Sequence, residues 1–292
     1  MRIVANGIAI EIDDQGLPGG QPLLLIMGLG MQLVAWPDEL VQLLVSRGFR
    51  VIRMDNRDIG LSQHFDHLGV PNIAAGAVRH TLGMAVASPY SLAEMAQDAV
   101  GVLDALGLQQ AHVCGASMGG MIAQHLAAKH PQRVKSVTLM MTTSGARHLP
   151  QPGWRVRGAM LRRPAGNQPE AVVDYLEKLL KAIGSPGFPP DAERQRRRLL
   201  ATVRRSWHPA GTARQLMAVL ADGDRSALLP RIGMPTRVIH GLADPLVRVE
   251  AGRELAQQIA GAQADFIPGM GHDLPLQLLP RFAEGIAQNA AR

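Results

Sequence analysis

One serine of the chain stands in a setting that suits a nucleophile. It lies in Gly115-Ala116-Ser117-Met118-Gly119-Gly120, between an apolar run at 111–115 and a predicted helix at 118–129. A sharp turn from strand to helix forces such a serine into a strained backbone conformation and exposes its hydroxyl. Glycines on both sides suit that turn, because a Cβ at either position would crowd the neighbouring strand and helix. The pattern predicts that Ser117 is a nucleophile rather than a passive serine in a glycine-rich turn.

A serine hydroxyl is a poor nucleophile at neutral pH and needs a neighbouring base. Of the ten histidines, only His240 and His272 stand at the carboxyl ends of late predicted strands. His272 follows the strand at 264–267 in a flexible Gly-Met-Gly-His loop, and it is the predicted base. His240 is still inside its strand and is interpreted as a packed structural residue. His125 and His130, in or just after the helix that follows the serine, are expected to point away from the hydroxyl.

The base in turn needs a carboxylate that orients its ring. Asp244 lies just past the predicted strand at 236–240, on a Gly-x-x-Asp-Pro turn. Asp273 adjoins His272 in the sequence, which is a poor geometry for a hydrogen bond to that ring. Asp244 is therefore the predicted acid, with a turn-capping aspartate as the alternative interpretation.

The elements that must position these residues alternate between strand and helix. Predicted strands lie at 22–28, 50–54, 111–115, 134–141, 236–240 and 264–267, and predicted helices at 36–47, 91–106, 118–129, 249–259 and 275–287. The helix at 91–106 opens with a capping-box pattern, Ser91-x-x-Glu94, and Asn6-Gly7 favours a hairpin turn. This alternation predicts an α/β fold with a doubly wound, mostly parallel sheet, whose functional groups gather beyond the carboxyl ends of the strands.

Two stretches interrupt the alternation. Residues 145–225 are helical in pattern, rich in Pro and Arg, and lack strand-like runs, so they are predicted to form an inserted helical cap. Residues 1–144 and 226–292 then make up the α/β core. Residues 63–90 contain several Gly and Pro and are interpreted as a long excursion with one short helix. Trp154 and Trp207 of the predicted cap either line the substrate pocket or belong to its core.

The net charge is +6 and is concentrated in the predicted cap, where 15 Lys and Arg stand against 7 Asp and Glu. Arg-rich solvated helix faces are favoured over a nucleic-acid or acidic-membrane patch, because no nucleic-acid motif or stacking aromatic accompanies the charge. We therefore expect no nucleic-acid partner. Since no apolar run approaches the roughly 18–20 residues of a membrane span, we also expect no membrane crossing.

The single cysteine, Cys114, excludes an intrachain disulfide and a multi-cysteine zinc site. The first residues lack the long apolar run of a secretory signal. We therefore expect a cytoplasmic protein, with Cys114 packed in the core and with neither a metal nor an organic cofactor. The sequence leaves the oligomeric state open.

Five motifs together resemble the α/β-hydrolase family, over essentially the whole chain outside the predicted cap. They are Met27-Gly28-Leu29-Gly30, Asp55-Asn56-Arg57-Asp58-Ile59-Gly60-Leu61-Ser62, the motif around Ser117, Gly241-Leu242-Ala243-Asp244 and Gly269-Met270-Gly271-His272. Within that family, the run from Trp36 to Asp58 is similar to the aclacinomycin methylesterase group, whose members act on carboxylic esters. Asp55, Arg57, Gly60 and Ser62 match a recurrent loop of the fold and are interpreted as structural.

A tetrahedral intermediate needs two N–H donors for its oxyanion. The turn at Ser117 offers the backbone amide of Met118 as one of them. The resemblance implies that the second is the amide of Leu29, which corresponds to the residue after a His-Gly pair in relatives. Met27 stands where many relatives have that histidine, so Gly28 and Gly30 are alternative donors.

The sequence thus predicts hydrolysis of a small-molecule carboxylic ester through an acyl-enzyme on Ser117, with His272 as base and Asp244 as its orienting acid. Perhydrolases, thioesterases and C–C bond hydrolases share the same triad and stay open as alternatives. A non-catalytic binding protein on a hydrolase scaffold is less favoured, because such proteins usually lack a triad member. Flexible methionines near the predicted site favour an adaptable apolar pocket for short- to medium-chain or bulky esters: Met27, Met31, Met118, Met121, Met141 and Met270.

Overall fold

The apolar runs of the sequence form one eight-stranded sheet. The computed structural model describes residues 1–292, apart from the side chain of Leu161. The strands are β1 (Arg2–Ala5), β2 (Ile8–Gln15), β3 (Gln21–Ile26), β4 (Phe49–Met54), β5 (Ala111–Ala116), β6 (Val134–Met140), β7 (Thr236–Gly241) and β8 (Gln263–Ile267). Their order is β1-β2-β4-β3-β5-β6-β7-β8. The pairs β1–β2 and β2–β4 are antiparallel and the others parallel, which confirms the predicted fold class.

The central strands are apolar throughout because both of their faces are covered. Every residue of β5 is buried, and so are the last four residues of β3. Successive side chains of β3 enter opposite layers: Leu24 and Ile26 belong to one apolar cluster, Leu23 and Leu25 to the other. The core therefore lies on both sides of the sheet, and the carboxyl ends of β5, β7 and β8 are left at one edge to carry polar groups.

The described residues form ten α-helices. They are α1 (Asp38–Val45), α2 (Ile73–Thr81), α3 (Leu92–Ala105), α4 (Met118–Lys129), α5 (Trp154–Leu161), α6 (Pro169–Ile183), α7 (Ala192–Arg205), α8 (Pro209–Asp222), α9 (Val249–Gln258) and α10 (Leu279–Ala290). The capping box at the start of α3 is present, with the Ser91 side chain and the Glu94 side chain each bonded to the other's backbone amide. The hairpin turn is also present, and Asn6 and Gly7 both have positive φ.

The last helix begins later than the sequence predicts. Residues 276–278 form a 3₁₀ turn, and α10 itself starts at Leu279 with Pro280 in its first turn. A proline is well placed there because the first N–H groups of a helix have no intrahelical acceptor. The predicted helix at 275–287 is therefore displaced at both ends, whereas the helix predicted at 118–129 has the observed bounds.

Residues 145–225 contain α5 to α8 and no strand. Helices α6 and α7 pack together through an apolar cluster of Val172, Val173, Leu199 and Val203, and Trp207 packs against this cluster. Trp154 is 78% exposed at the start of α5, so its interpretation as a core residue is wrong. The assignment of residues 145–225 as a separate cap stays a prediction. No helix in the described part of the chain is long and apolar enough to cross a membrane.

Candidate active site

Ser117 occupies the turn between β5 and α4, with φ 53° and ψ −120°. An L-residue rarely adopts this conformation, which costs backbone strain that the surrounding packing must sustain. A Cβ added to Gly115 would lie 2.2 Å from the Gly119 carbonyl oxygen, and one added to Gly119 would lie 2.0 Å from that of Ile26. Both positions therefore require glycine, for the reason inferred from the sequence.

The structure brings the three predicted triad residues together at the carboxyl edge of the sheet. His272, in the loop after β8, places Nε2 3.0 Å from the Ser117 Oγ. Asp244, in the loop after β7, places Oδ2 2.7 Å from the His272 Nδ1. Ser117 is half-buried, whereas the other two side chains are buried. These distances lie within the range for hydrogen bonds in a nucleophile, base and acid chain.

Asp244 is held so that one oxygen is free for the imidazole. Its Oδ1 accepts hydrogen bonds from the amides of Leu246 and Val247, at 2.9 and 2.8 Å. Its Oδ2 then faces His272 Nδ1, and since a carboxylate can only accept, Nδ1 carries the proton. The lone pair of Nε2 is left to accept the Ser117 hydroxyl proton, which is the tautomer that a general base needs.

The other histidines and aspartates considered from the sequence lie elsewhere. His240 is fully buried, its Nε2 is 2.8 Å from the Val247 carbonyl oxygen, and burial lowers its pKa, so it is neutral and structural. His125 Nε2 contacts Asp222 Oδ1 at 2.8 Å. Asp273 accepts a hydrogen bond from the Ser185 hydroxyl, and burial raises its pKa.

Three of the predicted oxyanion donors have no acceptor among the described residues: the amides of Gly28, Leu29 and Met118. The fourth candidate, the Gly30 amide, donates to Gln215 Oε1 at 3.0 Å and is occupied. A Cβ added to Gly28 would lie 3.1 Å from the Ser117 Cβ, which places this loop against the nucleophile. The geometry therefore leaves Leu29, or Gly28 beside it, as the donor opposite Met118.

The loop after β4 is fixed by buried polar contacts. Asp55 accepts hydrogen bonds from the amides of Leu33 and Leu61, at 2.6 and 2.9 Å. The Ser62 hydroxyl donates to the Asp55 carbonyl oxygen at 2.6 Å. Arg57 forms two hydrogen bonds with Asp98, at 2.6 and 2.7 Å. These contacts agree with the structural role inferred for the loop.

Helix α8 is anchored to the same loop by a fully buried ion pair. Arg214 donates to both carboxylate oxygens of Asp58, at 2.8 and 2.7 Å. Burial alone would raise the pKa of Asp58, but hydrogen bonds from Arg214, the Phe65 amide and the Tyr90 hydroxyl outweigh it and hold the pKa below its usual value. The next residue, Gln215, also donates to the Arg57 carbonyl oxygen at 2.8 Å. Because Gln215 also accepts a hydrogen bond from the Gly30 amide, helix α8 contacts both this loop and the loop after β3, which carries the candidate oxyanion donors Gly28 and Leu29.

The loop that carries His272 is held by the segment after α6. The His272 amide donates to the Ile183 carbonyl oxygen at 2.7 Å, and the Gly187 amide donates to that of Gly269 at 2.9 Å. The Ser185 hydroxyl accepts from the Gly271 amide at 2.8 Å and donates to Asp273. The predicted cap thus contributes directly to the position of the candidate base.

Gln215 and Ser185 were not identified from the sequence. Gln215 lies 185 positions from the glycine that it contacts, and Ser185 lies 86 positions from Gly271. Neither stands in a motif, and glutamine and serine are common on exposed helices and turns. Only their place in the folded chain gives them a supporting role.

Two further features could carry chemistry: Cys114 and a cluster of His64, Asp66 and His208. The Cys114 thiol is fully buried, and burial raises its pKa, so it is not a second nucleophile. His64, Asp66 and His208 offer ligand atoms within 4.8 Å of one another. The Arg214 guanidinium lies 3.0 Å from Asp66 Oδ1 and already supplies positive charge there, so we interpret this cluster as an ion-pair network.

Comparison with known proteins agrees with this geometry. A family model described as the alpha/beta hydrolase fold matches residues 21–277. The rhodomycin D methylesterase DnrP of Streptomyces peucetius is 31% identical, and the alignment covers 98% of this chain and 96% of the relative. A 2-hydroxymuconate semialdehyde hydrolase of Pseudomonas sp. (strain CF600) is 28% identical over 97% of this chain and 90% of its own length.

Among solved structures, the enol-lactonase from Burkholderia xenovorans LB400 superposes with a TM-score of 0.72 at 25% identity, and the match covers 100% of both chains. The resemblance drawn from the five motifs is confirmed, and the full-length match to a methylesterase agrees with the subgroup that the sequence indicated. On this match of family model, sequence and structure, the chain belongs to the α/β-hydrolase fold family.

Proposed function

We propose that this protein is a serine hydrolase that cleaves carboxylic esters through an acyl-enzyme on Ser117. The observation that carries the proposal is the chain of contacts from Ser117 through His272 to Asp244, at 3.0 and 2.7 Å. The broader class follows from the family and from its methylesterase relatives: the chain is a carboxylic ester hydrolase.

In the proposed reaction, Ser117 Oγ attacks the ester carbonyl carbon while its proton moves to His272 Nε2. The oxyanion that forms is stabilised by the amides of Met118 and Leu29. His272 then donates the proton to the leaving alkoxide, which departs as the alcohol. A water molecule then loses a proton to His272 and attacks the acyl carbon; the bond to Ser117 Oγ breaks, His272 returns the proton to Oγ, and the carboxylic acid leaves. Asp244 stabilises the imidazolium that exists between these transfers.

Methyl esters of bulky carboxylic acids are the substrates that we propose first. Two relatives that match almost the whole chain are named rhodomycin D methylesterases. Buried methionines adjoin the site, among them Met27, Met118 and Met270, and flexible thioethers suit irregular apolar ligands. We also propose a cytoplasmic location, in keeping with a lone buried Cys114.

Hydrolysis of a C–C bond is the second candidate, since a 2-hydroxymuconate semialdehyde hydrolase is among the relatives. Such a substrate is an unsaturated 2-hydroxy acid with an aldehyde at its far end rather than an ester, and the same triad residues would serve it. Comparing kcat/KM on a methyl ester, a thioester and a 2-hydroxymuconate semialdehyde separates the candidates. A C–C substrate preferred over every ester would overturn the ester assignment.

The direct test replaces the nucleophile. Ser117→Ala is expected to lower kcat on p-nitrophenyl butyrate by at least about a thousandfold, as removal of a triad nucleophile does in other hydrolases. A fluorophosphonate probe should label the wild-type protein at Ser117 and leave the variant unlabelled. Ser46→Ala is the matched control, because Ser46 is exposed at the end of α1 and its change should leave turnover unaltered. Retained turnover in the Ser117 variant would refute the mechanism.

A further inference from the structure

The positive charge of residues 145–225 falls into two parts that differ in their partners. The arginines of α7 are largely paired: Arg196 contacts Asp174 and Glu177, at 2.8 and 2.6 Å, and Arg205 contacts Asp55 at 2.8 Å. Arg194 is likewise paired with Glu39. Internal ion pairs therefore neutralise most of the charge of α7, which the sequence was interpreted to place on solvated helix faces.

The arginines ahead of α6 have no such partners. Residues 145–169 contain five arginines and no Asp or Glu. All five arginines are exposed, and none has a carboxylate partner among the residues that the structure describes. They are Arg147, Arg155, Arg157, Arg162 and Arg163. This stretch therefore presents a net positive charge that no carboxylate of the described residues pairs with.

Exposed apolar side chains stand among these arginines. Trp154 is 78% exposed, and the Arg155 guanidinium lies 5.2 Å from the centre of its ring. Met160, on the same helix, is also exposed. A tryptophan flanked by arginines is typical of residues that lie at the boundary between lipid headgroups and acyl chains.

A second segment extends this surface. Residues 67–93 also contain no Asp or Glu, and Val78, Leu82 and Met84 are exposed, with Leu82 at 68%. The two segments touch, since a Cβ added to Gly83 would lie 2.4 Å from Arg147 Nη1. We call residues 78–84 and 147–163 together the basic apolar surface. It combines unpaired guanidinium groups with large apolar side chains that water does not favour.

We propose that the basic apolar surface docks onto an anionic lipid membrane. Arginines attract the negative headgroups, and the indole and aliphatic side chains insert among them, so both components of the surface are used. A second copy of the chain is a poor occupant, because two such surfaces would repel each other. Nucleic acid is also a poorer occupant, because it would engage the guanidinium groups and Trp154 but leave the exposed aliphatic side chains of Val78, Leu82 and Met84 in water. With no spanning helix in the described residues, the association is peripheral.

The test measures binding of the full chain to vesicles, without turnover, so it stands or fails independently of the ester hydrolysis. Vesicles of phosphatidylglycerol mixed with phosphatidylcholine are compared with vesicles of phosphatidylcholine alone, by co-sedimentation at low and high salt. We expect binding only to the anionic vesicles, and weaker binding at high salt. Tryptophan emission should shift to shorter wavelength on binding, and Trp154→Phe should abolish the shift, because Trp36 is already buried and Trp207 lies against an apolar cluster.

The variant Arg155→Glu/Arg157→Glu should lose at least about tenfold in vesicle partition, since each basic residue near an anionic surface is worth roughly a fivefold change. Arg197→Glu/Arg204→Glu on α7 is the matched control: it changes net charge equally at exposed sites, and should lower partition far less. Equal losses in the two variants would overturn the proposal, and so would equal binding to both kinds of vesicle. Binding of a DNA oligonucleotide with no binding to anionic vesicles would overturn it as well. If Arg155→Glu/Arg157→Glu fails to fold, the tryptophan emission of the unsubstituted protein still tests the proposal, because no shift on anionic vesicles would overturn it.

Discussion

Replacing Arg214 by methionine should remove one partner of a buried ion pair and leave the other without compensation. Arg214 and Asp58 are both fully buried, and the guanidinium donates two hydrogen bonds to the carboxylate, at 2.8 and 2.7 Å. It also donates to the Gly69 carbonyl oxygen at 2.7 Å. Methionine keeps much of the aliphatic volume, so the change tests the charge and the hydrogen bonds rather than packing.

Breaking a buried pair in this way costs about 3–5 kcal/mol of unfolding free energy, mainly because an unpaired charge stays buried. In a chain of this size, the loss corresponds to a fall in Tm of roughly 6–10 °C, at about 2 °C per kcal/mol. The double variant Arg214→Met/Asp58→Asn removes the stranded charge and should recover much of the loss. Arg197→Met, whose guanidinium is exposed and contacts only Glu193, should change stability by less than about 0.5 kcal/mol.

The pH dependence gives a second, independent readout. In the wild-type protein the pKa of Asp58 is lowered, so the folded state binds this proton less readily than the unfolded state. The contribution of Asp58 to stability is fully present above the pKa of about 4 that this carboxyl has in the unfolded chain. It is lost as the pH falls through the lower pKa that Asp58 has in the folded protein. Without Arg214, burial dominates and raises the pKa of Asp58 above its unfolded value, so that stability is instead lost as the pH rises. The difference between variant and wild type should therefore be smaller at about pH 4 than at about pH 7.

Equilibrium urea denaturation, followed by circular dichroism at both pH values, measures these quantities. The reasoning is refuted if Arg214→Met costs less than about 1 kcal/mol, the value of an ordinary surface pair. A cost that is the same at both pH values would show that the stranded carboxylate is not its source. A double variant as unstable as the sum of the two single changes would show that the two side chains do not interact.

Two further predictions concern the loops beside Ser117. Gln215→Leu removes the acceptor of the Gly30 amide. It should lower kcat by about tenfold or more, because the loop at 28–30 that carries the candidate oxyanion donor loses a support. An unchanged kcat on p-nitrophenyl butyrate would show that this loop holds its position without the bond. Ser185→Ala removes both hydrogen bonds of its hydroxyl to the loop of His272 and should lower kcat while KM stays the same. Ser185→Thr keeps the hydroxyl and should restore most of the activity, whereas equal losses in the two variants would point to packing as the cause.

The strands of the core and the turn at Ser117 could be predicted because they depend on residues close together in the sequence. Apolar runs such as Leu23–Ile26 have few alternatives to a doubly covered strand. The glycines at 115 and 119 are required by a turn only five residues long. The order of nucleophile, acid and base follows from the order of the strands, so the three candidate residues could be chosen before their distances were known.

Helix ends and surface positions were harder to predict, because small free-energy differences decide them. A helix at 275–287 was expected, yet the structure begins it at Leu279, where the residues before it form a 3₁₀ turn instead. Trp154 is interpreted from the sequence either as pocket lining or as part of the cap core, but the fold leaves its side chain 78% exposed on α5. The roles of Leu29 and Met118 as oxyanion donors stay predictions that the open amides support.

The sequence by itself therefore determined the α/β architecture, the strained turn at Ser117 and the choice of His272 and Asp244 as its partners. Periodicity, glycine spacing and strand order are local properties, and they act through backbone sterics and burial within a few residues. Only the tertiary structure decided which distant side chains hold the site, namely Gln215 on the glycine loop and Ser185 on the loop of His272. It also decided which arginines are paired and which are left exposed, because ion pairing depends on how helices pack and not on the order of residues along the chain.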